Sequence, residues 1–280
     1  MNDKYIKKAL NLILKFRDEK LDCDIKKLAT FSFWGIRDNG KGIYDNGKNY
    51  ADGDCTKLAY AIDYLLYHLT LENYSTKYYP NGNYNYHGDT ICTFNTLFGS
   101  TNDIRQRVFK TLQLDSNEIE KIINENSDNF GKDFYHVYQR MGNFFLLPCK
   151  TIKIDNKYHS LNTYKGCFQN DYFDIFLAML KDKLNNGIKT ENNFEKLINE
   201  NVYFFKGKKL DDFCKIFNLP NDFTLNGSGL HYAHWILSEK NKNDYRKFVF
   251  EYIEKATELI EKRSESILNS LLKKYPELKN

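Results

Sequence analysis

Apolar residues recur at three- and four-residue steps near the N-terminus, where Ile6, Leu10, Ile13 and Leu14 share one face. That spacing predicts an amphipathic helix over 3–20. Thr30-Phe31-Ser32-Phe33-Trp34 predicts a short strand, and a loop rich in Gly, Asn and Asp follows from Arg37 to Asp54. Leu58, Ile62, Leu65, Leu66 and Leu69 predict a second helix over 55–69. Asp52 or Asp54 is its expected cap, because a carboxylate accepts the free amides of a first turn. A polar, tyrosine-rich loop then runs from Asn73 to Gly88. Asp89 or Thr90 is expected to cap a third helix over 91–98, with further helices starting at Asp103 and Ser116 and a short one over 133–141.

After residue 141 the pattern changes. Phe144 to Leu147 is a continuous apolar run stopped by Pro148. Thr151 to Ile154 and Tyr158 to Leu161 alternate on either side of Asp155-Asn156, which predicts a β-hairpin. Helical spacing returns over 171–184, 191–200 and 208–218, and then over a long final helix, 243–274, with Asp244 as its cap and Lys273-Lys274 at its negative end. The expected fold class is mainly α. One helical domain spans 1–280, with a small β-hairpin or short sheet near 143–162.

Composition narrows the class. The chain has 280 residues, with 41% apolar and 16% aromatic residues and only 4 Pro, so it is neither a disordered nor a collagen-like chain. Its net charge of +4 is too small to argue a nucleic-acid partner by itself. No run approaches the roughly 18–20 apolar residues of a membrane span. Charges interrupt Met1 to Lys8, so no secretory signal is read there, and the expected location is the cytoplasm. Cys23, Cys55, Cys92, Cys149, Cys167 and Cys214 are widely spaced, without a paired thiol or histidine motif, so neither a disulfide framework nor a zinc site is expected.

Three polar segments fall at element ends, where function usually sits. They are Asp52-Gly53-Asp54, then His87-Gly88-Asp89-Thr90, and then Arg140-Met141-Gly142-Asn143 continued by Asn162, Lys165 and Asp171. Arg140 and Lys165 with the amides of Asn143 and Asn162 suit an anionic ligand that also hydrogen-bonds, such as a phosphate or a base. Asp89 and Asp171 are the candidate catalytic carboxylates. Together they could hold a divalent metal if the fold joins them, although no ligand spacing signals one and the cofactor stays unknown. The same residues also have structural readings. Asp52 and Asp89 can act as caps, Arg140 and Asp171 can form an ion pair, and the two Asn side chains can tie down turns.

Several short motifs resemble an uncharacterised bacterial domain family. Asp52-Gly53-Asp54-Cys55-Thr56-Lys57-Leu58 is similar to its D-x-D-x-x-x-x-T-L opening, and Pro80-Asn81-Gly82 to its P-N-G turn. Asp89 to Phe94 resembles its S-D-S-I-x-x-T segment, and Met141 to Pro148 its I-G-G-x-x-x-F-P. Asn162-Thr163-Tyr164-Lys165-Gly166 resembles N-x-A-R-G, with Lys for Arg; Asp171 to Asp174 resembles D-R-F-D-L, and Glu261-Lys262-Arg263 the family's E-x-R-N end. This likeness implies a shared fold over 31–267 and carries no activity. A second, local resemblance links Arg140 to Pro148 and Leu161-Asn162 to the R-L-G-N-L-T-L-L-P…L-N run of HNH-type restriction nucleases. There a histidine in E-H-I-x-P-Q activates water against a metal-bound phosphate. This chain lacks that element and offers only His87 and His136 upstream.

The leading expectation is a cytoplasmic protein with a polar pocket for a phosphate-bearing ligand, either a nucleotide or a nucleic acid, acting in host–phage conflict. The first alternative is a non-catalytic inhibitor or adaptor that meets a protein partner through the tyrosine-rich loop at 73–88. The second is a degenerate HNH-like, metal-dependent nuclease.

Overall fold

A computed structural model describes residues 3–33, 53–91, 117, 137–161, 193–201, 204, 209–219 and 242–279, with backbone alone over 242–253. Asp3–Lys20 forms α1, the helix that the spacing predicts, and it buries Ala9, Ile13 and Phe16. Lys57–Tyr67 forms α2, against which α1 packs. Its cap is neither Asp52 nor Asp54 but Thr56, whose Oγ1 accepts the Ala59 amide at 3.1 Å. A 3-10 turn, Gly53–Cys55, comes before that cap and places Asp54 too early to serve.

No strand forms over 30–33. Thr30 ends a 3-10 helix, Ile25–Ala29, and the side chains after it serve ring packing instead. Phe31 meets Phe16 edge-on at 4.9 Å, and Phe33 meets Phe144 edge-on at 5.1 Å. Trp34 lies outside the described residues.

Strand β1, Tyr86–Thr90, begins where the sequence suggested the end of a loop. It pairs antiparallel with β2, Phe144–Pro148, setting Gly88 opposite Leu146 and Asp89 opposite Phe145. Every residue of β2 is buried, which is why that strand reads as an unbroken apolar run rather than an alternation. The expected hairpin is present as β3, Ile152–Ile154, and β4, Lys157–His159. Asp155 (φ 48°) and Asn156 (φ 64°) form its two-residue turn, with the left-handed backbone that a tight hairpin needs. Of the short helix expected over 133–141, residues 138–140 form a turn and Met141–Asn143 a 3-10 helix.

Asn193–Glu200 forms α3, Leu210–Ile216 forms α4, and Lys242–Lys274 forms α5, close to the predicted spans. Because α5 starts at Lys242, Asp244 lies inside its first turn rather than at its cap. The predicted helices over 91–98 and 171–184, and those from Asp103 and Ser116, lie largely outside the described residues. Helices predominate among those that are described, accompanied by two small antiparallel sheets. No described helix is long and apolar enough to cross a membrane.

The C-terminal helix closes the structure. It lies across the Met141–Asn143 turn and the Ile25–Ala29 helix. Lys274 Nζ donates to the Leu65 and Leu66 carbonyls at 2.6 and 3.2 Å and so satisfies the open end of α2. A last 3-10 turn, Pro276–Lys279, returns to α1, where Arg17 donates to the Leu278 carbonyl at 3.3 Å.

Candidate functional site

Parts of all three polar segments meet. The Gly53 amide donates to Gln139 Oε1 at 2.8 Å, and a Cβ at Gly88 would sit 2.4 Å from the Asp54 carbonyl oxygen. The turn holding Asp54 therefore lies directly on β1. The β1–β2 ladder ends where the Ile91 amide donates to the Asn143 carbonyl at 2.8 Å, next to Asp89. Asp54, Asp89 and Asn143 are all buried here.

Each candidate residue has local structural work. Asp89 lies in β1, and its Oδ1 accepts the Thr90 amide at 2.8 Å. The Asn143 side chain donates to the Tyr138 carbonyl at 2.7 Å and fastens the turn. Arg140 pairs with Glu261 of α5 at 2.8 Å, and its Nε has no hydrogen-bond partner among the described residues. Asn162, Lys165 and Asp171 lie outside the described residues, as does His136. His87 is on β1 and is held mostly neutral, because burial lowers its pKa while the Gly88 carbonyl pulls weakly the other way. Among the described residues no three His, Cys, Asp or Glu side chains group to hold a metal. Burial pushes the thiol of Cys149 up to about 11 and that of Cys214 up to about 12, which keeps both protonated and poorly nucleophilic.

Behind this junction lies a charge that entered the sequence reading only as part of a C-terminal motif. Arg263 of α5 is only 1% exposed. Its Nε donates to the Phe217 carbonyl at 3.0 Å, and its Nη1 to the Gly142 and Phe144 carbonyls at 2.7 and 2.6 Å. Its guanidinium also lies 5.7 Å from the centre of the Phe145 ring. The signal was available, since Arg263 stands at helical spacing between Ile260 and Ile267 on the apolar stripe.

Asp63 of α2 is the acidic counterpart. Burial pushes its carboxyl up to about 7, Arg263 draws it down, and Asp54 adds to the rise. The folded form therefore keeps a proton that the unfolded chain has released, so stability is lost as pH rises from about 4 to 7. Asp63→Asn should remove that loss. Urea unfolding at pH 5 and pH 8 should show the variant gaining on the wild type at the higher pH, by at most about 3 kcal/mol. An unchanged difference between the two pH values would contradict the assignment.

A cavity opens on the opposite end of α2. It measures about 350 Å³ and is lined by Tyr5, Tyr64, His68, Leu69, Tyr74, Tyr79 and Asn81. Three rings form a column, with Tyr64 stacked on His68 at 4.4 Å and on Tyr79 at 4.6 Å. Tyr5 stands edge-on to Tyr64 and Tyr79 at 6.0 and 5.9 Å. Lys8 holds its ammonium over the Tyr79 and Tyr5 rings, at 5.1 and 5.9 Å, while donating to the Tyr78 carbonyl at 3.1 Å. The His68 Nδ1 donates to the Tyr64 carbonyl, which fixes the neutral ring with its lone pair on Nε2. That Nε2 is closed from solvent and has no hydrogen-bond partner among the described residues.

The first sequence-based alternative assigned the tyrosine-rich loop to a protein partner. Of that loop's tyrosines, Tyr74, Tyr79 and Tyr86 are buried, Tyr78 is half-buried and Tyr84 is exposed. The cavity could have been anticipated from Tyr64 and His68, which sit four residues apart on one face of α2 just before that loop. No family model, characterised protein or solved structure matches the chain.

Proposed function

We propose that the protein binds a small phosphate-bearing ligand of the nucleotide class, with its base in the tyrosine cavity. The observation that carries this reading is the cavity of about 350 Å³ walled by four tyrosines and a histidine, with Lys8 fixed over two of those rings. That volume is at the lower end of small-molecule sites, which run from about 300 to 1,000 Å³. Tyrosine walls favour a flat, polarisable ring, and Asn81 and the hydroxyls supply hydrogen bonds for its edge. Lys8 and Lys274 are point charges suited to a phosphate. Lys274 is near enough for its charge to act on His68, and its bonds to the Leu65 and Leu66 carbonyls offset the negative end of α2.

An aromatic cage for a cationic ligand is the competing chemistry. It is disfavoured because Lys8 already occupies the ring faces and the lining carries no carboxylate among the described residues. Arg140 and Asn143 lend less support to a phosphate site of their own, since Glu261 and the Tyr138 carbonyl engage them.

Calorimetric titration with AMP, GMP, CMP and UMP tests the reading. At least one should bind saturably, and Tyr5→Ala and Lys8→Ala should each weaken it about tenfold, the equivalent of one charge-assisted contact or one ring face. Both side chains are at least partly exposed, so the fold should survive. The reading fails if none of the four binds at millimolar concentration, or if tetramethylammonium or a single-stranded oligonucleotide binds instead.

A further inference from the structure

We propose that binding of the phosphate-bearing ligand is coupled to uptake of one proton by His68, which makes this residue the site's charge-matching group. The inference rests on the cavity being the binding site. Its basis is geometric. His68 lines the cavity, its Nδ1–H is committed to the Tyr64 carbonyl, and its Nε2 is closed from solvent with no hydrogen-bond partner among the described residues. A proton added at Nε2 of the empty protein would leave a buried N–H⁺ with no acceptor, so the empty site keeps the ring neutral. A phosphate brought beside His68 and Lys274 supplies the missing negative charge. The proton comes from solvent to the Nε2 lone pair, and no bond breaks in the protein.

The groups around His68 make it the one that responds. Tyr64, Tyr74, Tyr79 and Tyr275 are all pushed above the ordinary phenol range by burial, so none ionises near neutrality. Tyr5 is stationed at the edge of Tyr64, and Leu69 carries no charge. Burial and Lys274 lower the His68 pKa, whereas the Tyr64 carbonyl and the C-terminal end of α2 favour the imidazolium. These opposed influences leave a group that one added anion can tip. Asp63, whose carboxyl burial pushes up to about 7, acts on the cavity wall through Tyr74.

Calorimetry of AMP binding at pH 7, in buffers of differing ionisation enthalpy, counts the protons exchanged. The wild type and Asp63→Asn should take up more protons than His68→Gln, with a difference approaching one, while His68→Gln still binds with affinity lowered severalfold. Equal proton counts in wild type and His68→Gln, with both binding, overturn the coupling and leave the proposed function standing. Loss of binding in the wild type overturns both. An NMR titration of the wild-type His68 ring with and without AMP gives a check free of substitution. Its pKa should rise by at least one unit on binding, and an unchanged value refutes the coupling.

Discussion

Replacing Arg263 with Met should destabilise the protein by roughly 3–5 kcal/mol, the range seen when one partner of a buried charge network is removed. Methionine fills much of the volume and preserves helix propensity, so the loss reports the guanidinium and not a cavity. Three carbonyl oxygens, of Gly142, Phe144 and Phe217, lose their donor in a place that water does not reach. Asp63 loses a nearby cation that draws its pKa down. The cost should therefore be larger at pH 8 than at pH 5, because at the lower pH Asp63 is protonated and needs no partner. Arg263→Lys should recover little, since an ammonium cannot span three carbonyls on two segments. Chemical denaturation at the two pH values reads this directly, and a cost below 1 kcal/mol at both would contradict the role given to Arg263.

Gly142→Ala is the second large effect, at about 3 kcal/mol or more. An ideal Cβ at this position would lie 2.0 Å from the Ile260 carbonyl oxygen, 2.4 Å from Ser264 Oγ and 2.6 Å from the Ser264 amide nitrogen. The nearest obstacle is the backbone of α5, which cannot rotate away as a side chain can. The turn and the helix must separate, and the bonds from the Gly142 amide to Ser264 Oγ and from Arg263 to the Gly142 carbonyl stretch with them. Ser264→Ala is the control. It removes the first of those bonds without adding bulk and should cost only about 1 kcal/mol. If the two variants unfold at the same denaturant concentration, the close approach of turn and helix is not as described.

These two residues show what the sequence could and could not disclose. Helical spacing located α1, α2 and α5 because each buries one stripe on a neighbour, and Asp155-Asn156 marked the hairpin because a tight turn needs left-handed residues. Strand β1 was missed because Tyr-His-Gly-Asp-Thr carries no apolar alternation. Its pairing is decided by β2, more than fifty residues away, and by the space that Gly88 leaves for Asp54. Asp89 looked like a helix cap for the same reason, since carboxylates favour turns and first turns alike. Arg140 and Asn143 were read correctly as polar residues at an element end, but Glu261 and Tyr138, which engage them, are not adjacent in sequence to an obvious motif. The tyrosine cavity was half legible. The loop's composition stood out, but its rings turn inward only because α1 brings Tyr5 and Lys8 across from Tyr64 and Tyr79.

A crystal structure determined with a bromine-substituted adenosine monophosphate, located by the anomalous signal of the bromine, tests the central claim most directly. The brominated base should lie within contact of Tyr5, Tyr64, Tyr74 and Tyr79, with the phosphate toward Lys8 and Lys274. A bromine peak elsewhere on the protein, or an empty cavity at saturating nucleotide, would contradict it.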